Sequence, residues 1–186
     1  MCKSKKETYP LIKKDKKTLL VTIHRRENQG ENLKKVSLAL NKLTKEFNNI
    51  HIIIPLHPNP YIKEPLIKYL KNNKSVSLIE PLKYQDLISV MKDCFLVLTD
   101  SGGLQEEAPS LDKPLLVLRE STEREEIIDV GGSILVGTDT NLIIKEVSSL
   151  IKNESKYKRM AKASNPYGDG NSSKIIKKLI MKFLKL

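Results

Sequence analysis

"LVLTDSGGLQEEAPS", residues 96–110, is the stretch that decides the fold. An apolar run, Leu96 to Leu98, stops at Thr99-Asp100-Ser101, and two glycines and then Gln105, Glu106 and Glu107 follow. A run without polar alternation reads as a strand buried on both faces, which occurs in parallel sheets covered by helices. Asp100-Ser101-Gly102-Gly103 then reads as a strand-to-helix turn. Glycines let backbone approach a ligand closely. The first amides of the following helix lack internal partners and, with the helix dipole, suit a phosphate. Ser101 adds a hydroxyl. Glu107 lies past the first turn, too far along to compete with phosphate but placed to accept hydrogen bonds from sugar hydroxyls. A simple helix cap with surface acids has the same sequence pattern, so the rest of the chain must arbitrate.

Similar apolar runs recur at Thr18–Ile23, His51–Leu56, Val76–Ile79, Phe95–Thr99, Pro114–Leu118 and Ser133–Val136. Between them lie helix candidates. Asn32–Phe47 places Leu33, Val36, Leu40, Leu43 and Phe47 on one stripe, Tyr61–Leu70 and Tyr84–Lys92 read likewise, and Gly103–Leu111 is a short candidate. Thr122–Val130 begins with a capping-box pattern, Thr122 with Glu125 three residues on, and stops at Gly131-Gly132. Thr140–Ile151 follows Asp139, and a last helix, Ser173–Leu186, carries Ile175, Ile176, Leu179, Ile180 and Phe183 on one face. Strand and helix alternating six times predict an α/β, Rossmann-like doubly wound parallel sheet with right-handed crossovers. In such folds ligands bind beyond the carboxyl ends of the strands.

Bulk properties narrow the function classes. With 186 residues the chain is long enough for one domain with a real core. No apolar run approaches the ~18 residues of a membrane span, and the basic start lacks a signal peptide's apolar core, so a cytoplasmic location is expected. Cys2 and Cys94 are too few for a disulfide framework and carry no metal-ligand spacing; Cys94 reads as a small core residue. No metal and no cofactor are expected. The net charge of +11 raises the question of a polyanion partner. The lysines are spread along the whole chain and aromatic residues make up only 5%, so a basic nucleic-acid-binding protein is the weaker reading.

The strand ends carry the candidate chemistry. After the first run stand His24-Arg25-Arg26-Glu27-Asn28, three cationic groups at one strand exit, suited to gripping an anion. After the second, prolines hold His57 and Asn59. After the fifth, Arg119 sits at the strand end, and Arg124 with Glu125 reads equally well as an exposed intrahelical pair.

Taken in order, "VTIHRREN" with "GENL", "PLHPNP", "LTDSGGLQEEAPSLDKPLLVLRESTERE", "GGSILVGTD" and "NPYGDGNSSKII" resemble the non-hydrolysing UDP-N-acetylglucosamine 2-epimerases, from about Tyr9 to the C-terminus. Glu125 stands where the family has proline, Ile23 where a small residue or Thr is usual, and Pro58 where the family varies; none of these removes a polar motif residue. The resemblance implies a two-domain fold of the glycosyltransferase-B type, of which this chain matches the C-terminal half. It implies residues 1–17 as a remnant of the interdomain link, 18–172 as a Rossmann-like UDP-binding domain and 173–186 as a crossover helix. The half that supplies the family's proposed proton-transfer carboxylates lies outside the match, so a separate chain or missing segment is expected to provide it. Family members are homodimers.

The family reaction inverts C2 of the sugar of UDP-GlcNAc to give UDP-ManNAc, by elimination and re-addition of UDP, in pathways of cell-surface polysaccharide synthesis. By resemblance His24, Ser101, Gly102 and Gly103 meet the diphosphate, with His24 catalytic. Glu107 takes the ribose, and Arg25 and His57 match positions tied to a second, regulatory UDP-GlcNAc. Arg119 and Arg124 are further candidates. Two readings therefore stand beside the nucleic-acid one: half of an epimerase, or a non-catalytic module that grips a UDP-sugar.

Overall fold

The computed structural model describes residues 10–13 and 15–184. Cys2, Tyr9 and the end of the expected last helix at 185–186 lie outside the described residues. Six strands, β1 (Lys17–Thr22), β2 (Ile50–Pro55), β3 (Val76–Ile79), β4 (Leu96–Thr99), β5 (Leu115–Val117) and β6 (Ser133–Leu135), form one sheet in the order β3-β2-β1-β4-β5-β6. All five pairings are parallel, as the unbroken apolar runs predict. The order reverses between β1 and β4, which makes their carboxyl ends the switch point of the fold.

The helices are α1 (Glu31–Glu46), α2 (Pro60–Leu70), α3 (Tyr84–Asp93), α4 (Gly102–Glu107), α5 (Glu125–Asp129), α6 (Thr140–Lys152), α7 (Glu154–Ala161) and α8 (Ser172–Phe183). They cover both faces of the sheet. Successive strand residues point to opposite faces, and the core divides accordingly. Leu19, Val21, Ile52, Ile54, Leu96 and Leu98 pack with Leu33, Val36, Leu40 and Leu43 of α1, Ile62 and Leu66 of α2 and Val147 of α6. Leu20, Ile53, Val97 and Val117 pack on the other face with Val90 and Met91 of α3 and Leu104 of α4. Cys94 belongs to this second core; burial pushes its thiol up to about 12, and its Sγ donates to the Met91 carbonyl. It is a packing residue, as expected.

Three local expectations change. Thr122 does not cap a helix. Its hydroxyl donates to Gln105 Oε1 at 2.6 Å and accepts from the Arg124 amide, and α5 begins only at Glu125. Gln105 orients the hydroxyl, and its oxygen accepts the Arg124 amide instead of the amide of Glu125 that a capping box would use. The expected helix 103–111 divides into α4 and a 3-10 turn at Ala108–Leu111, where Pro109 cannot donate an amide. The sequence reading also missed α7, whose Tyr157 stacks on Phe95 and donates its hydroxyl to the Phe95 carbonyl. The Gly131-Gly132 stop holds: Gly131 has φ +76°, and the two glycine amides close on Ile128 and Ile127 carbonyls.

Among the described residues no helix is long and apolar enough to cross a membrane, and no cluster of His, Cys, Asp and Glu has the arrangement of a metal site.

Candidate functional site

The site is built at the carboxyl ends of β1 and β4. Thr22 and Thr99 close the two strands with a hydroxyl–hydroxyl hydrogen bond. The next residue of β4's path, Asp100, has no exposed surface. Its carboxylate accepts hydrogen bonds from the His24 amide and the Arg25 amide, each 2.9 Å from Oδ2, from Asn28 Nδ2 at 2.9 Å, and from His24 Nδ1, 3.0 Å from Oδ1. Asn28 also donates to the Leu118 carbonyl at the end of β5. One buried carboxylate thus folds the whole His24–Asn28 loop against β4. Isolated burial would raise the carboxyl of Asp100. The donors from His24, the two amides and Asn28 outweigh that and hold it below the usual carboxylate range. The hydrogen bond to Asp100 raises His24 above its ordinary value, against the smaller opposing effects of burial and Arg25.

With Nδ1 committed to Asp100, His24 presents Nε2 outward. Its ring lies 5.8 Å from that of His57, 22° from parallel. His57 Nδ1 accepts the Asn59 amide, and Asn59 Oδ1 caps α2 through the Tyr61 amide. His57 is thereby set at the end of β2 as the prolines suggest. A cleft of about 180 Å3 runs between these histidines and α3, floored by Ile23, Leu56, Leu82 and Leu87.

On the β4 side, Ser101 Oγ accepts the Leu104 amide and the Ser101 carbonyl takes that of Gln105. The amides of Gly102 and Gly103 have no internal partner among the described residues. A Cβ on Gly102 would stand 3.8 Å from Arg25 Nη2, so the first loop and the glycine turn face one another. Glu107 returns toward the same place: its Oε1 lies 4.0 Å from a Cβ built on Gly103, and its Oε2 is buried with no hydrogen-bond partner among the described residues.

Arg119 and Arg124 are already paired. Arg119 donates to Glu27 at 2.9 Å and Glu123 at 2.7 Å. Arg124 pairs with Glu106 of α4, not with Glu125 of its own helix. His24, Arg25, Ser101, Gly102, Gly103 and Glu107 come together. His57 borders them, and Arg119 and Arg124 reach the rim through Glu123 and Glu106. The sequence reading did not single out Asp100, Asn28 or Glu123 as site residues. For Asp100 a signal existed: a charged residue directly ending a fully apolar strand has to be paired when buried.

Fold and strand order define the class, a Rossmann-like α/β unit of the glycosyltransferase-B type. The C-terminal domain of a group 1 glycosyltransferase from Francisella tularensis has this fold, with a TM-score of 0.63 at 16% identity over 81% of this chain and 82% of that one. The family model described as UDP-N-acetylglucosamine 2-epimerase matches residues 2–181, and the chain belongs to that family. The UDP-N-acetylglucosamine 2-epimerase of Escherichia coli (strain K12) is 46% identical over 172 residues, 92% of this chain and 46% of the relative. The crystal structure of UDP-GlcNAc 2-epimerase from Neisseria meningitidis, bound to UDP-GlcNAc, superposes with a TM-score of 0.88 at 43% identity, over 95% of this chain and 48% of that one. The chain spans about half the length of the relatives it matches.

Proposed function

We propose that this chain is the nucleotide-binding half of an epimerase that interconverts UDP-GlcNAc and UDP-ManNAc by eliminating and re-adding UDP. The observation that carries the reading is the meeting of two features in one place. Partnerless Gly102 and Gly103 amides face the cationic His24–Arg25 loop, and the partnerless Oε2 of Glu107 lies beside them. The first suits a diphosphate and the second a ribose hydroxyl donor. The complex of the Neisseria relative with UDP-GlcNAc supports the same ligand class. Residues 18–172 would form the UDP-binding domain, with 1–17 as a link and 173–186 as a helix that crosses to the other half.

In this reading UDP is both leaving group and nucleophile, so holding it is catalytic. Negative charge grows on the diphosphate as the C1–O bond breaks. His24, whose protonated form Asp100 favours, and the glycine amides would stabilise that charge without reorganising. Arg25 adds a cation, and Arg25 with His57 would meet any second UDP-GlcNAc at the rim. The acid and base that move the C2 proton must lie within hydrogen-bond reach of that carbon. The family places those carboxylates on the half that this chain does not match. Epimerisation therefore needs that half, in the same polypeptide or as a separate one.

The test has two arms. UDP is titrated into the chain by calorimetry, with an expected affinity of about −4 to −6 kcal/mol, millimolar to tens of micromolar. Turnover is then measured with the chain alone and with a polypeptide equivalent to the relatives' first half added. Turnover only in the mixture supports the epimerase reading. UDP binding without turnover in the mixture supports a binding module instead. Turnover by the chain alone shows the division of labour to be wrong.

A further inference from the structure

Glu123 stands where an incoming anion would have to go. It lies between β5 and α5, with its side chain 49% exposed, yet its carboxylate is drawn inward by two guanidinium groups. Oε2 accepts from Arg119 Nη1 at 2.7 Å, and Oε1 lies 3.6 Å from Arg25 Nη2. The same Oε1 is 3.4 Å from the position of a Cβ on Gly102. Its own backbone amide and the Arg119 hydrogen bond hold the carboxyl below the usual carboxylate range, so it is charged whenever the site is in use. Arg119 does not depend on it. That guanidinium is only 12% exposed and keeps its second partner, Glu27, at 2.9 Å.

We propose that Glu123 is a displaceable internal counter-anion, filling the seat between Arg25, Arg119 and Gly102 in the free protein and leaving when a diphosphate enters. The proposal rests on the reading of Ser101 and Gly102 as the diphosphate site. Its consequence is selectivity by charge. A singly charged anion that replaces a carboxylate exchanges one charge for another and gains nothing from the arginines. A diphosphate brings at least two charges to the same pair of guanidiniums. Releasing Glu123 costs little, because a half-exposed ion pair is worth little in water. Because Glu27 stays in place, Arg119 keeps its position when Glu123 leaves, and the seat needs no rebuilding.

Calorimetric titration of the chain, as wild type, Glu123→Gln and Glu123→Ala, with inorganic pyrophosphate, UDP and acetate decides the matter. Both variants are expected to bind pyrophosphate and UDP about fivefold tighter, the loss of one exposed ion-pair competitor. They should also gain acetate binding that the wild type lacks. If the wild type binds UDP and neither variant binds pyrophosphate or UDP more tightly, Glu123 is not a competitor and only this inference falls. If no form binds UDP or pyrophosphate, the diphosphate site itself is wrong and the inference falls with it.

Discussion

Asp100 and His24 are tied together at both backbone and side chain: Oδ2 takes the His24 amide at 2.9 Å and Oδ1 lies 3.0 Å from His24 Nδ1. The pair joins β4 to the loop after β1 and fixes which imidazole nitrogen faces the site. Asp100→Ala would leave the two part-buried amides and one hydrogen of Asn28 Nδ2 without an acceptor, the other staying on the Leu118 carbonyl. A loss of about 3–5 kcal/mol in urea unfolding is expected, the cost of removing one partner from a buried charged network.

The same pair sets a pH dependence. His24 titrates above its ordinary 6.5, so its pairing adds stability that is complete below 6.5 and is lost as pH rises through the folded value. Asp100 titrates below 3.8, so its share is present above 3.8 and lost as pH falls through its folded value. UDP binding should weaken as pH rises through the His24 titration. Imidazole proton NMR should show the His24 pKa falling in Asp100→Asn. A His24 titration unmoved by Asp100→Asn would break the link.

Glycine at 102 is required for close approach. A branched side chain there would crowd Arg25 and Glu123 and occupy the place assigned to the diphosphate. Gly102→Val is expected to abolish UDP and pyrophosphate binding together. The backbone at 102 is in the ordinary helical region, so thermal unfolding should stay close to wild type. A variant that binds either ligand as before would remove Gly102 from the site.

Glu107 should separate the two ligands. Glu107→Ala is expected to weaken UDP roughly tenfold, the value of about one hydrogen bond to a charged acceptor. Pyrophosphate, having no ribose, should bind unchanged. Equal weakening of both would place Glu107 at the phosphate instead.

Helix α8 should contribute almost nothing to the stability of this unit. Ile176 is 55% exposed, Leu179 60% and Phe183 85%, and no residue of the helix is buried. Ending the chain after Gly170 is expected to move the melting temperature by less than ~2 °C. A larger drop would mean that α8 packs on this domain in solution.

How much of this was legible beforehand follows a physical line. Strands buried on both faces announce themselves by composition alone, so β1 to β6 were found within a residue of their ends. Helices with a clear apolar stripe, such as α1, were equally visible. The α7 segment was not, because only Met160 is buried and its anchoring comes from Tyr157, which bonds Phe95 at the amino end of β4, 62 residues away. Thr122 was misread because its partner, Gln105, is distant in sequence. In the site, residues with a recognisable motif were picked out and their supports were not. Asp100 meets Asn28 across 72 residues and Asn28 meets Leu118 across 90, joining separate strand ends, and Glu123 reaches Arg25 in the loop after β1 as well as nearby Arg119; no local pattern encodes the long-range pairings.

The strand order has a consequence for the order of events during synthesis. Of the six strands β1 leaves the ribosome first, yet its neighbour on one side is β4, seventy-seven residues later at Thr22 and Thr99. A nascent chain that has reached only β3 holds β3-β2-β1 with one edge of β1 unpaired, and an unpaired apolar edge invites association with other chains. The seam can close only when residue 99 has emerged, and such long-range closures are slow. The next residue to follow is Asp100, which gathers the His24–Asn28 loop. Joining the halves of the sheet and shaping the ligand-facing loop are therefore one step, and a chain stalled before it has neither.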